Sequence, residues 1–198
     1  MHPDPRFRAD PADLVERAAA IGFAHVFAAT PQGPMVVHAP VTRHGDRLRF
    51  HVARANRIAR HLDGADLLLS VAGPQGYVSP NWYECPGGQV PTWNFVTIEI
   101  EGRAAMLPEA GLIEQLDALA RAHEPRPAPW TRDTMDRVAF DRLLRAIVGF
   151  ELAVAAARGT TKLSQNKTPA DRDGVIAGLH AAGNGALAKA MAAAAVSG

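Results

Sequence analysis

Residues 71–94 read VAGPQGYVSPNWYECPGGQVPTWN, a stretch that holds two of the three tryptophans, both tyrosines, the only cysteine and four prolines. A loop that merely joined two strands would gain nothing from Trp82, Tyr83 and Trp93. Large amphipathic rings set among Pro and Gly suggest a shaped pocket. Ser79, Asn81, Thr92 and Asn94 are spaced to hydrogen-bond the edge of a planar ligand while the rings cover its faces. The same composition also suits an aromatic-rich dimer interface or a small core, and the residues alone leave both readings open.

On either side of this window the pattern is β-type. ADLLLSVAG (65–73) is a nearly continuous apolar run, as expected of a strand buried on both faces. WNFVTIEIEGRAAML (93–107) alternates, with Val96, Ile98 and Ile100 on one face and Phe95, Thr97, Glu99 and Glu101 on the other. Upstream, FAHVFAAT (23–30), MVVHAPVTR (35–43) and RLRFHVA (47–53) are separated only by PQGP and HGD, so three strands form an antiparallel meander. IVGFELAVAAA (147–157) is the sixth strand.

Helices are expected in the gaps. Asp10, Pro11 and Asp13 open one that Gly22 ends, and NRIARHL (56–62) suits a short one. Pro108 opens another through Leu112, Ile113, Leu116 and Leu119, and Met135 to Leu144 gives a fourth after the proline-rich loop EPRPAPWTRD (124–133). RGTTKLSQNKTP (158–169) reads as a polar connector before two Ala-rich helices, the last expected to stay peripheral. The fold class is therefore mainly β with peripheral helices (α+β), a small six-stranded antiparallel β-barrel.

Composition narrows the function. With 198 residues and 47% hydrophobic content the chain can bury a core without metals or disulfides. Lys plus Arg number 21 against 20 Asp plus Glu, a formal charge of +1, which argues against strong nonspecific attraction to nucleic acid or anionic lipid. Cys85 stands alone, so neither an intrachain disulfide nor a cysteine-based zinc site can form. MHPDPRFRADPADL has charges and prolines where a signal peptide needs an apolar run, and no long apolar stretch follows. A cytoplasmic location without membrane association is the expectation.

Four segments taken together carry a resemblance: GPQGYVSPNWY (73–83), VPTWNF (90–95), IVGFEL (147–152) and KLSQNK (162–167), supported by VHAP (37–40) and HVARAN (51–56). In this order they resemble the PaiB-type proteins, FMN-binding negative transcriptional regulators. The resemblance implies the FMN-binding split-barrel fold over 1–167 with a C-terminal helical extension over 168–198. It also implies FMN as cofactor and a homodimer with flavin sites at the subunit interface.

On that basis the residues divide the work of holding a phosphate, a ribityl chain and a flat ring. Arg57 is the first choice for the phosphate, because a guanidinium fork matches its geometry, with Asn56 beside it at the start of a predicted helix whose free N–H groups add attraction. His38 and Pro40 on the second strand and His51 and Ala53 on the third could line one side of the ring. Thr92, Trp93 and Asn94 would close over the flavin or the paired subunit, with Ser79 and Trp82 among the cofactor-binding residues of the same pocket. Lys162, Ser164 and Gln165 could complete an anion or carbonyl site. Each has a structural alternative: solvated arginines, a satisfied histidine, a buried interface tryptophan, a capped connector.

Two function classes follow. A flavin-binding regulator matches the resemblance, although the sequence has no helix-turn-helix signature, no zinc finger and no basic excess, so DNA binding is unsupported by charge. An FMN-dependent oxidoreductase acting on a small molecule or a nicotinamide nucleotide is the alternative, with no catalytic residue forced by the sequence. A haem protein ranks last, because the eight histidines show no diagnostic spacing.

Overall fold

The computed structural model describes residues 2–196, and side chains through 194. Six strands form an antiparallel sheet in the order β1-β2-β3-β6-β5-β4, and β4 pairs back onto β1, so the order closes into a barrel. The strands are β1 (Phe23–Thr30), β2 (Gly33–His44), β3 (Arg47–Ala53), β4 (Asp66–Val78), β5 (Thr92–Met106) and β6 (Ile147–Lys162). The helices are α1 (Leu14–Ile21), α2 (Glu109–His123), α3 (Arg137–Arg145), α4 (Pro169–Ala181) and α5 (Gly185–Val196). The architecture agrees with the expected split barrel. Among the described residues no helix is long and apolar enough to cross a membrane.

The chain divides into two compact units. The barrel unit comprises 13–71 and 99–157, and the second takes the described parts of 1–12, 72–98 and 158–198. β4, β5 and β6 contribute residues to both.

In the barrel unit alternate residues point inward, and Val26, Leu48, Leu69, Ile100 and Leu152 are fully buried. Phe50 and Phe150 are cross-strand partners on β3 and β6, with rings stacked at 5.5 Å. Gly22 adopts a left-handed conformation (φ 79°), closing α1 and turning the chain into β1. The expected helix at 56–62 shrinks to a 3-10 turn at Ala59–His61. Asn56 explains why: its Oδ1 accepts the Ile58 N–H and its carbonyl accepts the Ala59 N–H, so the chain makes an Asx-type turn instead of an α-helix.

In the second unit, α4 and α5 pack on the aromatic window. Val78, Tyr83, Val96, Leu163, Val175 and Leu179 form one core with Leu187, Ala188 and Met191. The Ala-rich terminus expected to stay peripheral thus supplies three fully buried side chains from a single turn and a half of α5. The polar connector expected at 158–169 also differs, since β6 continues through Lys162 before the chain turns.

Candidate functional site

β1 and β2 are apolar on both faces. Inward residues build the core, while the outward ladder Phe23↔Pro40, His25↔His38 and Phe27↔Val36 stays open to solvent. Phe23 is 51%, Phe27 39% and Val36 44% exposed. The His25 and His38 rings meet edge to face at 4.7 Å, and Phe23 lies parallel to His38 at 6.5 Å. A groove of about 720 Å³ on the barrel wall runs past Phe27, Pro34, Leu68, Arg103 and Ala155, with Arg103 paired to Asp66 at 3.4 Å. The sequence signal for this face was present in FAHVFAAT, where Phe, His and Phe occupy the positions that a half-wet strand would give to polar residues.

Ala53, the last residue of β3, and Arg57 just beyond it are both exposed. Among the described residues the Arg57 guanidinium has no hydrogen bond or ion pair. Its neighbour Arg54 differs: Nε and Nη2 donate to the carbonyls of Arg145 and Ile147, both at 2.9 Å, and tie β3 to the start of β6. Of the N–H groups expected to be free beside Arg57, those of Ile58 and Ala59 are taken by Asn56 in the turn.

His51 lies beneath α2, where its Nδ1 is 2.8 Å from Oε1 of the buried Gln115. Burial holds its pKa below the ordinary value of 6.5, and the Gln115 hydrogen bond only partly opposes this. Because the unfolded chain binds that proton more readily, His51 favours the folded state above about pH 6.5 and works against it as the pH falls. His51→Gln should therefore flatten the fall in urea midpoint between pH 7.5 and pH 5; an unchanged slope would reject the burial of this ring. Beside it, Arg49 is 8% exposed and bridges Glu114 and Glu151, each at 2.7 Å. Desolvation opposes its charge, but the two carboxylates prevail and raise its pKa. Neither Gln115 nor this ionic bridge stood out in the sequence, because the partners lie more than sixty residues apart.

In the second unit the expected ligands separate into supports and surface. Ser79 caps a 3-10 turn at Pro80–Trp82 by accepting the Asn81 N–H. The Trp82 indole and carbonyl fill the space that side chains at Gly178 and Gly174 of α4 would need, so Trp82 anchors that helix. Asn94 is fully buried, and its Nδ2 donates to Ser164 Oγ at 2.9 Å and lies 3.4 Å from the Met191 sulfur. Ser164 is buried with φ at 61°, a conformation that favours glycine, and the Asn94 bond helps hold it there. Gln165 accepts the Leu163 N–H at 2.6 Å and donates to the Thr161 carbonyl, closing the chain after β6. Lys162 donates to Thr92 Oγ1 at 2.6 Å and to the Trp93 carbonyl at 2.8 Å, and burial lowers its pKa. Trp93 itself stays 47% exposed, edge to face with Tyr77 at 6.4 Å, its Nε1 donating to Gln75 Oε1.

Residues 1–156 match the family described as "Putative FMN-binding domain". The chain is 32% identical over 154 residues to the Bacillus subtilis protein named protease synthase and sporulation protein PAI 2, covering 74% of this chain and 73% of that one. The chain belongs to the PaiB-type FMN-binding family. An uncharacterised Emericella nidulans protein, AN0679, is 27% identical over 189 residues, covering 77% of this chain and 75% of its own. Among solved structures, the flavocytochrome Anf3 of Azotobacter vinelandii superposes with TM-score 0.63 at 20% identity, covering 87% of this chain and 78% of that one. The FAD- and haem-binding protein of Mycobacterium smegmatis gives 0.58 at 14%, covering 84% and 78%. These two share the fold.

FMN is the cofactor of this PaiB-type chain. The exposed residues fit it: an unpaired guanidinium at Arg57 suits a phosphate, and the flat apolar ladder with His38 and Pro40, like the open face of Trp93, suits a ring system. Bound FMN supplies electron transfer at its isoalloxazine ring. Ser164, Gln165, Trp82, His51 and the Asn94 Nδ2 make contacts within the protein, while Asn94 Oδ1 is buried with no hydrogen-bond partner among the described residues.

Proposed function

We propose that the protein is a PaiB-type flavin-binding negative transcriptional regulator that works as a homodimer, with FMN held where the two copies meet. One observation carries the dimer: Phe23, Phe27 and Val36 leave the outer wall of β1 and β2 apolar and open, the kind of surface that a second subunit or a ring ligand covers. The regulatory role draws support from the relative named for protease synthesis and sporulation. Anaerobic FMN-loaded protein should sediment as a dimer, stay yellow on adding NADH, and shift a specific promoter fragment in a salt-dependent way. A monomer that stays colourless after incubation with FMN overturns the proposal.

A formal charge of +1 favours a second reading, because a regulator that touches DNA directly usually carries a basic face. In that reading the protein is an FMN-dependent oxidoreductase for a small molecule or a nicotinamide nucleotide. Rapid bleaching of the flavin by NADH, with no DNA shift, would decide for it.

A further inference from the structure

A cavity of about 350 Å³ lies between the C-terminal half of α2 and the loop at 124–133, lined by none of the residues assigned to flavin. Its size falls at the lower end of small-molecule sites, roughly 300–1,000 Å³. Trp130 stands in its wall and is 39% exposed, so an indole face is presented to a concave space instead of being spent on the core.

The charges in the cavity can be assigned one by one. Arg132 Nε lies 3.4 Å from Asp117 Oδ1, so those two neutralise each other. Glu124 holds the loop, its Oε2 accepting the backbone N–H of Trp130 at 3.2 Å. The loop is braced further where Thr134 donates through its N–H and its Oγ1 to the Thr131 carbonyl. Arg121 and Arg126 also line the cavity, and among the described residues neither guanidinium has a hydrogen bond or ion pair. Asp133 has neither an ion pair nor a hydrogen bond among the described residues, and Glu124 keeps its charge, so two carboxylates share the lining with these two free guanidiniums. The charged side chains of the lining thus balance, three arginines against three carboxylates, but two of the guanidiniums are left without a partner beside an aromatic face.

We propose that this cavity binds a single-ring aromatic carboxylate. The ring stacks on Trp130, and the carboxylate takes a bidentate bond from Arg126 or Arg121, whose planar forks match it better than an ammonium would. Glu124 and Asp133 stand in the same lining and would repel a phosphate dianion more strongly than a monoanion, so the site favours the monoanion.

The test uses the FMN-loaded full-length protein labelled with ¹⁵N, titrated with benzoate and read at the indole N–H signals of Trp82, Trp93 and Trp130. Trp130→Phe identifies the Trp130 signal. Benzoate should move that signal saturably and leave the other two in place. Arg126→Ala and Arg121→Ala should together weaken binding by about tenfold or more, the loss expected when hydrogen bonds to a charged group disappear. Cyclohexanecarboxylate, equal in charge but without a π face, should bind at least about fivefold more weakly. Flavin absorption should be the same in all of these variants, so the outcome is independent of the flavin reading. Absence of a saturable Trp130 shift, a shift confined to Trp93, or equal binding of cyclohexanecarboxylate or inorganic phosphate would overturn the proposal.

Discussion

Gly178→Val should lower stability by about 3 kcal/mol, because overpacking a filled site costs roughly 1–3 kcal/mol and more when the obstacle is rigid. The obstacle here is the Trp82 ring: a Cβ at Gly178 would overlap its Cγ, Cδ2 and Cε2 atoms. One turn earlier, Gly174 faces the Trp82 carbonyl with as little room, so the helix cannot slide along its axis to escape. Removing a glycine from a helix interior helps by at most about 1 kcal/mol, too little to reverse the sign. The urea midpoint monitored by tryptophan fluorescence measures the effect. In a Trp82→Ala background the same substitution should cost much less, because the clashing ring is gone. Equal costs in the two backgrounds would show that α4 does not rest on Trp82.

That contact marks where the sequence stops being legible. The barrel could be read because its signals are local: alternation in 93–107, tight turns between β1, β2 and β3, and Gly22 after α1. The packing role of Trp82 was hidden for the opposite reason. An indole beside prolines suggests a ligand wall, and only α4, some ninety residues later, shows that two glycines were kept small to receive it. Asn94 and Ser164 follow the same pattern in part: the Asn94 Nδ2 donates to the Ser164 hydroxyl in a buried corner 70 positions apart, although Asn94 Oδ1 finds no partner among the described residues. A motif that keeps polar residues at fixed places can thus record packing as readily as ligand contact. The side chains still open to a flavin, namely His38, Pro40, Ala53, Arg57 and Trp93, have no hydrogen bonding of their own that would account for their identity, except the Trp93 link to Gln75.

The α5 helix shows the converse error. Ala-rich composition suggested a helix with little to bury, yet Leu187 and Met191 are spaced four apart and Ala188 follows the first, enough for one narrow buried stripe. Small residues elsewhere on α5 do not weaken that stripe; they let the helix lie close to its neighbours.

Arg57→Ala should weaken FMN binding by about 1–3 kcal/mol, roughly 5- to 150-fold in Kd, the range for a lost charge-assisted hydrogen bond. The free protein should be as stable as before, since the Arg57 side chain is exposed and makes no hydrogen bond or ion pair among the described residues. This combination separates a ligand contact from a structural role. Arg54→Ala gives the contrast, because its guanidinium caps two carbonyls at the head of β6 and its loss should lower the melting temperature first. Arg57→Lys should recover only part of the affinity, as an ammonium keeps the charge without the planar fork. Riboflavin, which has no phosphate, should bind the parent and Arg57→Ala proteins equally well. If instead FMN affinity is untouched in Arg57→Ala, or riboflavin loses as much as FMN, the guanidinium does not meet the phosphate and the anion must be held by another group in the family's motifs.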